Sequence, residues 1–110
     1  MTGTSGLTLI YATCATRDEA LSLGRALVEA RLVACGSTLD GARSVYWWDG
    51  AVQDSAEAVL LCKTTPSLAE AATERLRALH SYDCPCVLAL PTTAANPAFA
   101  AWVAAETVQP

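Results

Sequence analysis

Basic residues and histidine are scarce in this 110-residue sequence. Seven lysines and arginines stand against eleven acidic residues, the net charge is −4, and there is a single histidine. The basic residues form no cluster, so we expect no nucleic-acid partner, because phosphate backbones are bound by clustered Lys and Arg. The sequence has neither a serine, histidine and acid set at recognisable spacing nor a glycine-rich phosphate loop, and therefore does not predict an enzyme.

Long apolar runs and an export signal are also missing. No apolar stretch approaches the roughly 18 residues that a membrane helix needs, and the N-terminus lacks the charged start and cleavage site of a signal peptide. We therefore expect a cytoplasmic protein without a membrane partner. In that compartment the five cysteines, an odd number, are expected to be reduced thiols and not a disulfide framework.

Apolar residues, by contrast, are abundant. They make up 53% of the sequence and include three tryptophans. A chain of this length fits one domain, residues 1–110, in which residues 1–6 are expected to be a flexible N-terminal tail. A domain this small leaves part of such an apolar surface exposed, so we expect an oligomer.

Residue patterns predict four strands and three helices. The first half of the chain contains a strand over 7–14 and a helix that runs from the Thr16–Glu19 capping box to about residue 30. Two hairpin arms over 34–47 and 52–64 follow and are joined at Asp49–Gly50. The rest of the chain contains a helix capped by Thr65 and ending near His80, a strand over 86–91, and a helix opened by Asn96–Pro97. In the last helix, Phe99, Trp102 and Val103 are expected to face inward.

This order predicts an α+β fold, a ferredoxin-like βαββαβ sandwich with an antiparallel sheet and an extra C-terminal helix. With the sheet order 4-1-3-2, the fourth strand begins near the end of the first. Cys14, His80, Cys84 and Cys86 then meet at one edge of the sheet. Because thiolate and imidazole ligands suit copper(I) and zinc(II), the sequence predicts a metal site there.

The same residues also have simpler interpretations. Cys14 and Cys86 are equally well explained as small core residues, and His80 as a residue at a helix end that interacts with free carbonyls. A disulfide between Cys84 and Cys86 is disfavoured, because extended residues two apart place their Cα atoms about 6.5 to 7 Å from each other.

Four spaced motifs in the chain resemble the divalent-cation tolerance family, CutA. They are ALVEARLVAC over 26–35, SVYWWDG over 44–50, LLCKTT over 60–65 and HSYDCP over 80–85. The resemblance extends over nearly the whole chain and implies a ferredoxin-like subunit in a homotrimer, with the long hairpin reaching across to its neighbours. Tyr46, Trp47 and Trp48 are the candidates for that oligomer interface.

The resemblance also implies metal ligands. Some bacterial members bind copper through a cysteine that ends the first strand and a pair of histidines at the end of the second helix, which correspond here to Cys14, Leu79 and His80. The usual glutamate further on is replaced by Cys86, so the expected site moves toward sulfur. The implied function is a trimeric divalent-cation tolerance protein that binds copper, zinc or another heavy-metal ion and contributes to metal homeostasis.

A signalling or scaffold protein is the alternative function. Such a trimer would resemble the PII proteins and bind a small ligand or a protein partner in the clefts between subunits. Lys63, Tyr82 and Asp83 are the candidates for an inter-subunit pocket that takes an anion, although Lys63 is equally explained as a solvated lysine at the end of an apolar strand.

Overall fold

The computed structural model describes residues 5–108 and consists of a four-stranded antiparallel sheet with three helices. The elements are β1 (Thr8–Cys14), α1 (Arg17–Glu29), β2 (Cys35–Trp48), β3 (Ala51–Thr64), α2 (Ala69–Leu79), β4 (Val87–Pro91) and α3 (Pro97–Ala105). This order confirms the predicted α+β, ferredoxin-like arrangement. Most of the predicted tail, residues 1–4, lies outside the described residues, while the backbone N–H of Ser5 donates to the Thr92 carbonyl at 3.0 Å.

The sheet has the strand order β2-β3-β1-β4, which confirms the predicted order. Ile10 in the central strand β1 pairs with Cys62 of β3 on one side and with Ala89 of β4 on the other. Alternate residues of β1, from Thr8 to Cys14, are buried and pack with α1 and α2 in the core. On the opposite face, here called the open face, Leu88 and Leu90 of β4 are exposed.

Helix α1 begins with the predicted capping box. The Thr16 hydroxyl accepts a hydrogen bond from the Glu19 backbone N–H at 3.1 Å, and the Glu19 carboxylate in turn accepts from the backbone N–H of Ala15 at 3.1 Å. Leu23 and Leu27 then face the core. The helix is therefore fixed directly behind the end of β1.

Strands β2 and β3 form a long hairpin with 14 residues in each arm. Asp49 and Gly50 in the turn both have positive φ, 53° and 75°, as the two-residue type I′ turn requires. A bulge between Leu39 and Ala42 contains Gly41 at a φ of 89°. Bulged strands bend and twist more strongly, and this bulge separates the part of the hairpin that packs beside β1 from the part that carries the turn.

The predicted cap of the second helix is wrong. The Thr65 side chain makes no capping hydrogen bond and instead contacts the Ser67 hydroxyl at 3.1 Å. A 3₁₀ turn over Pro66–Leu68 precedes α2, which begins at Ala69. Pro66 has a fixed φ and no N–H, so it suits this tight entry turn.

The prediction for α3 is correct at its start and wrong about its buried face. The Asn96 side chain accepts from the Ala98 N–H at 2.9 Å, as an N-cap does. Val103 is buried as predicted, but Phe99 and Trp102 are 37% and 44% exposed. Val103 is the buried residue of this nine-residue helix. Within residues 5–108, no helix combines the length and apolar character that crossing a membrane requires.

Candidate metal site and adjacent groove

Cys14, Glu19 and His80 come together at one edge of the sheet. Their potential ligand atoms, one from each side chain, all lie within 4.8 Å of one another. Cys14 ends β1, Glu19 lies in the first turn of α1, and His80 follows the last residue of α2. The fold thus unites the predicted pair Cys14 and His80, and adds Glu19, which the sequence pattern had assigned only to helix capping.

His80 is held by hydrogen bonds at both ring nitrogens. Its Nδ1 accepts from the backbone N–H of Tyr82 at 3.0 Å, so Nε2 carries the proton and donates to the Thr13 carbonyl at 2.8 Å. His80 therefore contacts β1 and does not interact with the free carbonyls of its own helix. A metal ion that bound either nitrogen would replace one of these two hydrogen bonds.

Glu19 joins the start of α1 to the segment after α2. One carboxylate oxygen accepts from Ala15, as described above, and the other accepts from the backbone N–H of Ser81 at 3.1 Å. Burial raises the pKa of Glu19, but hydrogen bonds from Ser81 and Ala15 and the nearby His80 outweigh burial and hold this pKa below its usual value. The carboxylate is therefore ionised at neutral pH.

Cys14 is a buried thiol. Burial, followed by the negative charges of Glu19 and Glu57, raises its pKa to about 11. The sulfur is therefore protonated at neutral pH and packs as a core residue, in agreement with the simpler interpretation of this cysteine. A metal ion that bound Cys14 would have to displace the thiol proton.

The predicted convergence of Cys84 and Cys86 with Cys14 is not found. Both residues are exposed, and neither belongs to the group around Cys14. The register that pairs Ala12 with Val87 puts Cys86 opposite Thr13. Since neighbouring residues of a strand face opposite sides of the sheet, Cys14 faces the helices while Cys86 faces away from them. All five thiols are free in the structure.

Cys84 and Cys86 instead line a groove on the open face of the sheet. The groove is a cavity of about 640 Å³ between the bent hairpin and the segment that follows α2, and Tyr46, Trp48 and Glu57 line it as well. The Tyr82 hydroxyl, also in the groove, donates to the Glu57 carboxylate at 2.9 Å. Burial and this hydrogen bond raise the pKa of Tyr82 well above its usual value.

The predicted interface residues lie on two different faces of the hairpin. Tyr46 and Trp48 line the groove, and the Tyr46 hydroxyl is 3.1 Å from the Ser55 hydroxyl. Trp47 lies between them in the sequence and therefore faces the other side of the hairpin, where it is 75% exposed. Their role in an oligomer interface stays a prediction.

The predicted pocket of Lys63, Tyr82 and Asp83 is not formed within one chain. Tyr82 and Asp83 line the groove, whereas Lys63 does not. Lys63 lies six positions beyond Glu57 in β3, roughly 20 Å along the strand, and its ammonium donates to the Ser37 hydroxyl at 2.8 Å. Lys63 would reach such a pocket only from another subunit.

Comparisons with known proteins agree with the geometry. The sequence model of the CutA1 divalent ion tolerance protein family matches residues 8–106. The divalent-cation tolerance protein CutA of Thermus thermophilus is 35% identical over 99 residues, which cover 90% of this chain and 96% of that protein. Protein CutA 1, chloroplastic, of Oryza sativa subsp. japonica is 38% identical over 95 residues, which cover 86% of this chain and 54% of the relative.

The chain spans about half the length of the first plant and mammalian relatives that it matches. Among solved structures, the crystal structure of CutA from Xylella fastidiosa is similar over 94% of this chain and 100% of that one, with a TM-score of 0.91 and 36% identity. The family resemblance noted in the sequence is thus confirmed by both sequence and structure. This chain belongs to the CutA1 divalent ion tolerance protein family.

Proposed function

We propose that this chain forms a trimeric divalent-cation tolerance protein that binds a copper or zinc ion and contributes to metal homeostasis. The observation that carries the proposal is the group of Cys14, Glu19 and His80, with potential ligand atoms within 4.8 Å of one another. Zinc(II) accepts sulfur, nitrogen and carboxylate oxygen together, whereas copper(I) prefers the sulfur and nitrogen of this set. The role is one of binding and not of catalysis.

In this proposal Cys14 and His80 each give up something that they hold in the structure. Cys14 releases its proton, and His80 exchanges a hydrogen bond to Thr13 or Tyr82 for the metal. Glu19 is already ionised and has only to turn a lone pair toward the ion. Because a thiol proton is displaced, metal affinity rises with pH.

Metal titration of matched variants tests the site. We expect Cys14→Ala and His80→Gln each to weaken zinc(II) or copper(I) binding at least about tenfold, because each removes one ligand. Affinity is measured by competition with a chromophoric chelator in the presence of reductant. Cys62→Ala is the control. Cys62 is equally buried but pairs with Ile10, which lies four residues before Cys14 in β1.

Two results would contradict the proposed site. Equal binding by the wild type, both site variants and the control would mean that Cys14 and His80 hold no metal. Loss of binding only in a Cys84→Ser, Cys86→Ser double variant would move the metal to the groove thiols.

The trimer is supported by the uncovered face and edge of the sheet. Leu39, Leu88 and Leu90 are 56%, 51% and 43% exposed, and all three face away from the helices. The outer edge of β2 also runs for 14 residues without a neighbouring strand among residues 5–108. Association would bury this apolar surface and pair the free backbone groups of the edge.

A second candidate is the PII-like signalling or scaffold trimer that binds a ligand in a cleft. The observation that favours it is the groove of about 640 Å³ beside Tyr82, whose volume is typical of small-molecule sites. The groove and the Cys14 group face opposite sides of the sheet but are joined by the hydrogen bond between Tyr82 and His80, so each function is tested with residues that belong to only one of the two sites.

A further inference from the structure

The groove contains a buried carboxylate without a cationic partner. Glu57 is only 9% exposed, and its hydrogen bond comes from the neutral Tyr82 hydroxyl. None of the ion pairs formed among residues 5–108 includes Glu57. Taking a charged group out of water is costly unless an opposite charge accompanies it. A cation bound in the groove would therefore stabilise Glu57.

The other charges of the groove have the same sign. Among residues 5–108, its charged lining residues are Glu57 and Asp83, and neither lysine nor arginine lines it. The predicted anion pocket at Tyr82 and Asp83 needs Lys63 of another subunit, because Lys63 of the same chain does not line the groove. The groove as formed by one chain is therefore complementary to a positive charge.

The walls of the groove favour an organic cation over a bare metal ion. Tyr46, Trp48 and Tyr82 contribute aromatic rings, and the faces of such rings attract cations, alkylated ammonium groups in particular. Among the residues described, the carboxylates and thiols of the groove do not form a compact set of three ligand atoms; the group that does lies around Cys14.

The two groups that would contact the cation are already held in place. The Tyr82 backbone is fixed by its hydrogen bond to His80, and the rings of these two residues lie 4.7 Å apart. The Tyr82 hydroxyl in turn orients the Glu57 carboxylate. A ligand therefore meets a carboxylate and a ring that need little reorganisation, which favours binding.

We propose that this groove binds a small organic ammonium ion, with its charged head beside Glu57 and its carbon substituents against Tyr46, Trp48 and Tyr82. The inference rests on the second candidate function, the ligand-binding trimer, and does not require a metal ion at Cys14. It assigns Glu57 as the residue that selects for positive charge.

Isothermal titration with a matched pair of probes tests the charge preference. Choline carries a trimethylammonium head, and 3,3-dimethylbutan-1-ol has the same shape without the charge. We expect choline to bind the wild type at least about tenfold more tightly than the alcohol. In Glu57→Gln, which keeps an acceptor for the Tyr82 hydroxyl, this advantage should disappear while the weak binding of the alcohol persists.

The adjacent tryptophans provide a matched test of the aromatic wall. Trp48→Ala removes a ring that lines the groove and should weaken choline binding about threefold to thirtyfold. Trp47→Ala removes an identical ring from the other face of the hairpin and should leave choline affinity within about twofold of the wild type. Equal losses in the two variants would contradict the assignment of the binding wall.

The remaining outcomes overturn the proposal or separate it from the metal site. Equal affinity of the wild type for choline and the alcohol refutes a cation site. If Glu57→Gln instead dissociates the oligomer in sedimentation and choline does not bind, the partner of Glu57 is a basic side chain of a second copy, and the proposal is wrong. Zinc affinity measured on Trp48→Ala, which alters the groove wall and leaves Glu57 and the Cys14 group in place, should match the wild type, so failure of either function is distinguishable from failure of the other.

Discussion

Glu19 links three parts of the molecule through a single carboxylate. It completes the cap of α1 through Ala15, it accepts from Ser81 beyond α2, and it lies beside Cys14 and His80. The spacing of Thr16 and Glu19 predicts the first role. The others depend on where α2 ends, which no local pattern contains.

Replacing Glu19 with Gln tests this link. We expect Glu19→Gln to lower the free energy of unfolding by about 1 to 2 kcal/mol at pH 7, because an amide accepts the Ala15 and Ser81 hydrogen bonds more weakly than a carboxylate. Urea denaturation measures the difference. Glu29→Gln, at an exposed position at the end of α1, is the control and should change stability by less than about 0.5 kcal/mol.

The effect of this substitution should depend on pH. The folded state lowers the pKa of Glu19, so its contribution is complete above the pKa of the unfolded chain and is lost as pH falls through the folded value. The difference between wild type and Glu19→Gln should therefore shrink in acid, below the ordinary glutamate range. A constant difference from pH 7 into that acid range would show that the ionised carboxylate is not the stabilising form.

The cysteines mark how far the site could be predicted. Chain order and the family motifs locate Cys14 and His80 at one edge, and the structure agrees. The prediction that Cys86 joins Cys14 is wrong, because a shift of one residue in a strand moves a side chain to the other face. Chain order alone does not determine which face a residue takes. Glu57 received no predicted role, because a second acid, Asp54, lies in the same strand and the sequence pattern does not distinguish the buried acid from the exposed one.

Among the elements, the hairpin was the most predictable. Asp49–Gly50 between two strand patterns determines the turn type by itself, because both positions need positive φ. The inner face of α3 was not predictable in the same way. Its sequence, PAFAAWVAA, is apolar all round, so no periodicity distinguishes Val103 from Phe99 or Trp102.

Gly50→Ala tests the turn at the level of the hairpin. A Cβ there would meet no atom within 4 Å, but the φ of 75° is strained for alanine. We therefore expect a loss of about 1 kcal/mol in the free energy of unfolding, from backbone strain alone. Gly50→Asn is the comparison and should lose about half as much, since asparagine tolerates this conformation. A loss as large for asparagine as for alanine would point to another cause.

At the scale of the whole molecule, the uncovered sheet face predicts the assembly. Leu88→Glu puts a charge on this face and should shift the proposed trimer toward monomers, because a carboxylate would be buried at the interface. Sedimentation velocity at micromolar concentration measures the change. Leu21→Glu is the control, as Leu21 is similarly exposed (45% against 51%) but lies on α1. Dissociation by both variants, or by neither, would contradict an interface on the open face.

The central position of β1 determines when the sheet can be completed during synthesis. β1 leaves the ribosome first, yet its partners β3 and β4 follow some fifty and eighty residues later in the register of Ile10. At typical translation rates the apolar strand waits for β4 on the order of ten seconds, whereas the β2–β3 hairpin closes within microseconds of emerging. The nascent chain therefore carries an apolar strand with at least one unpaired edge, an aggregation hazard, until its last neighbour has been made.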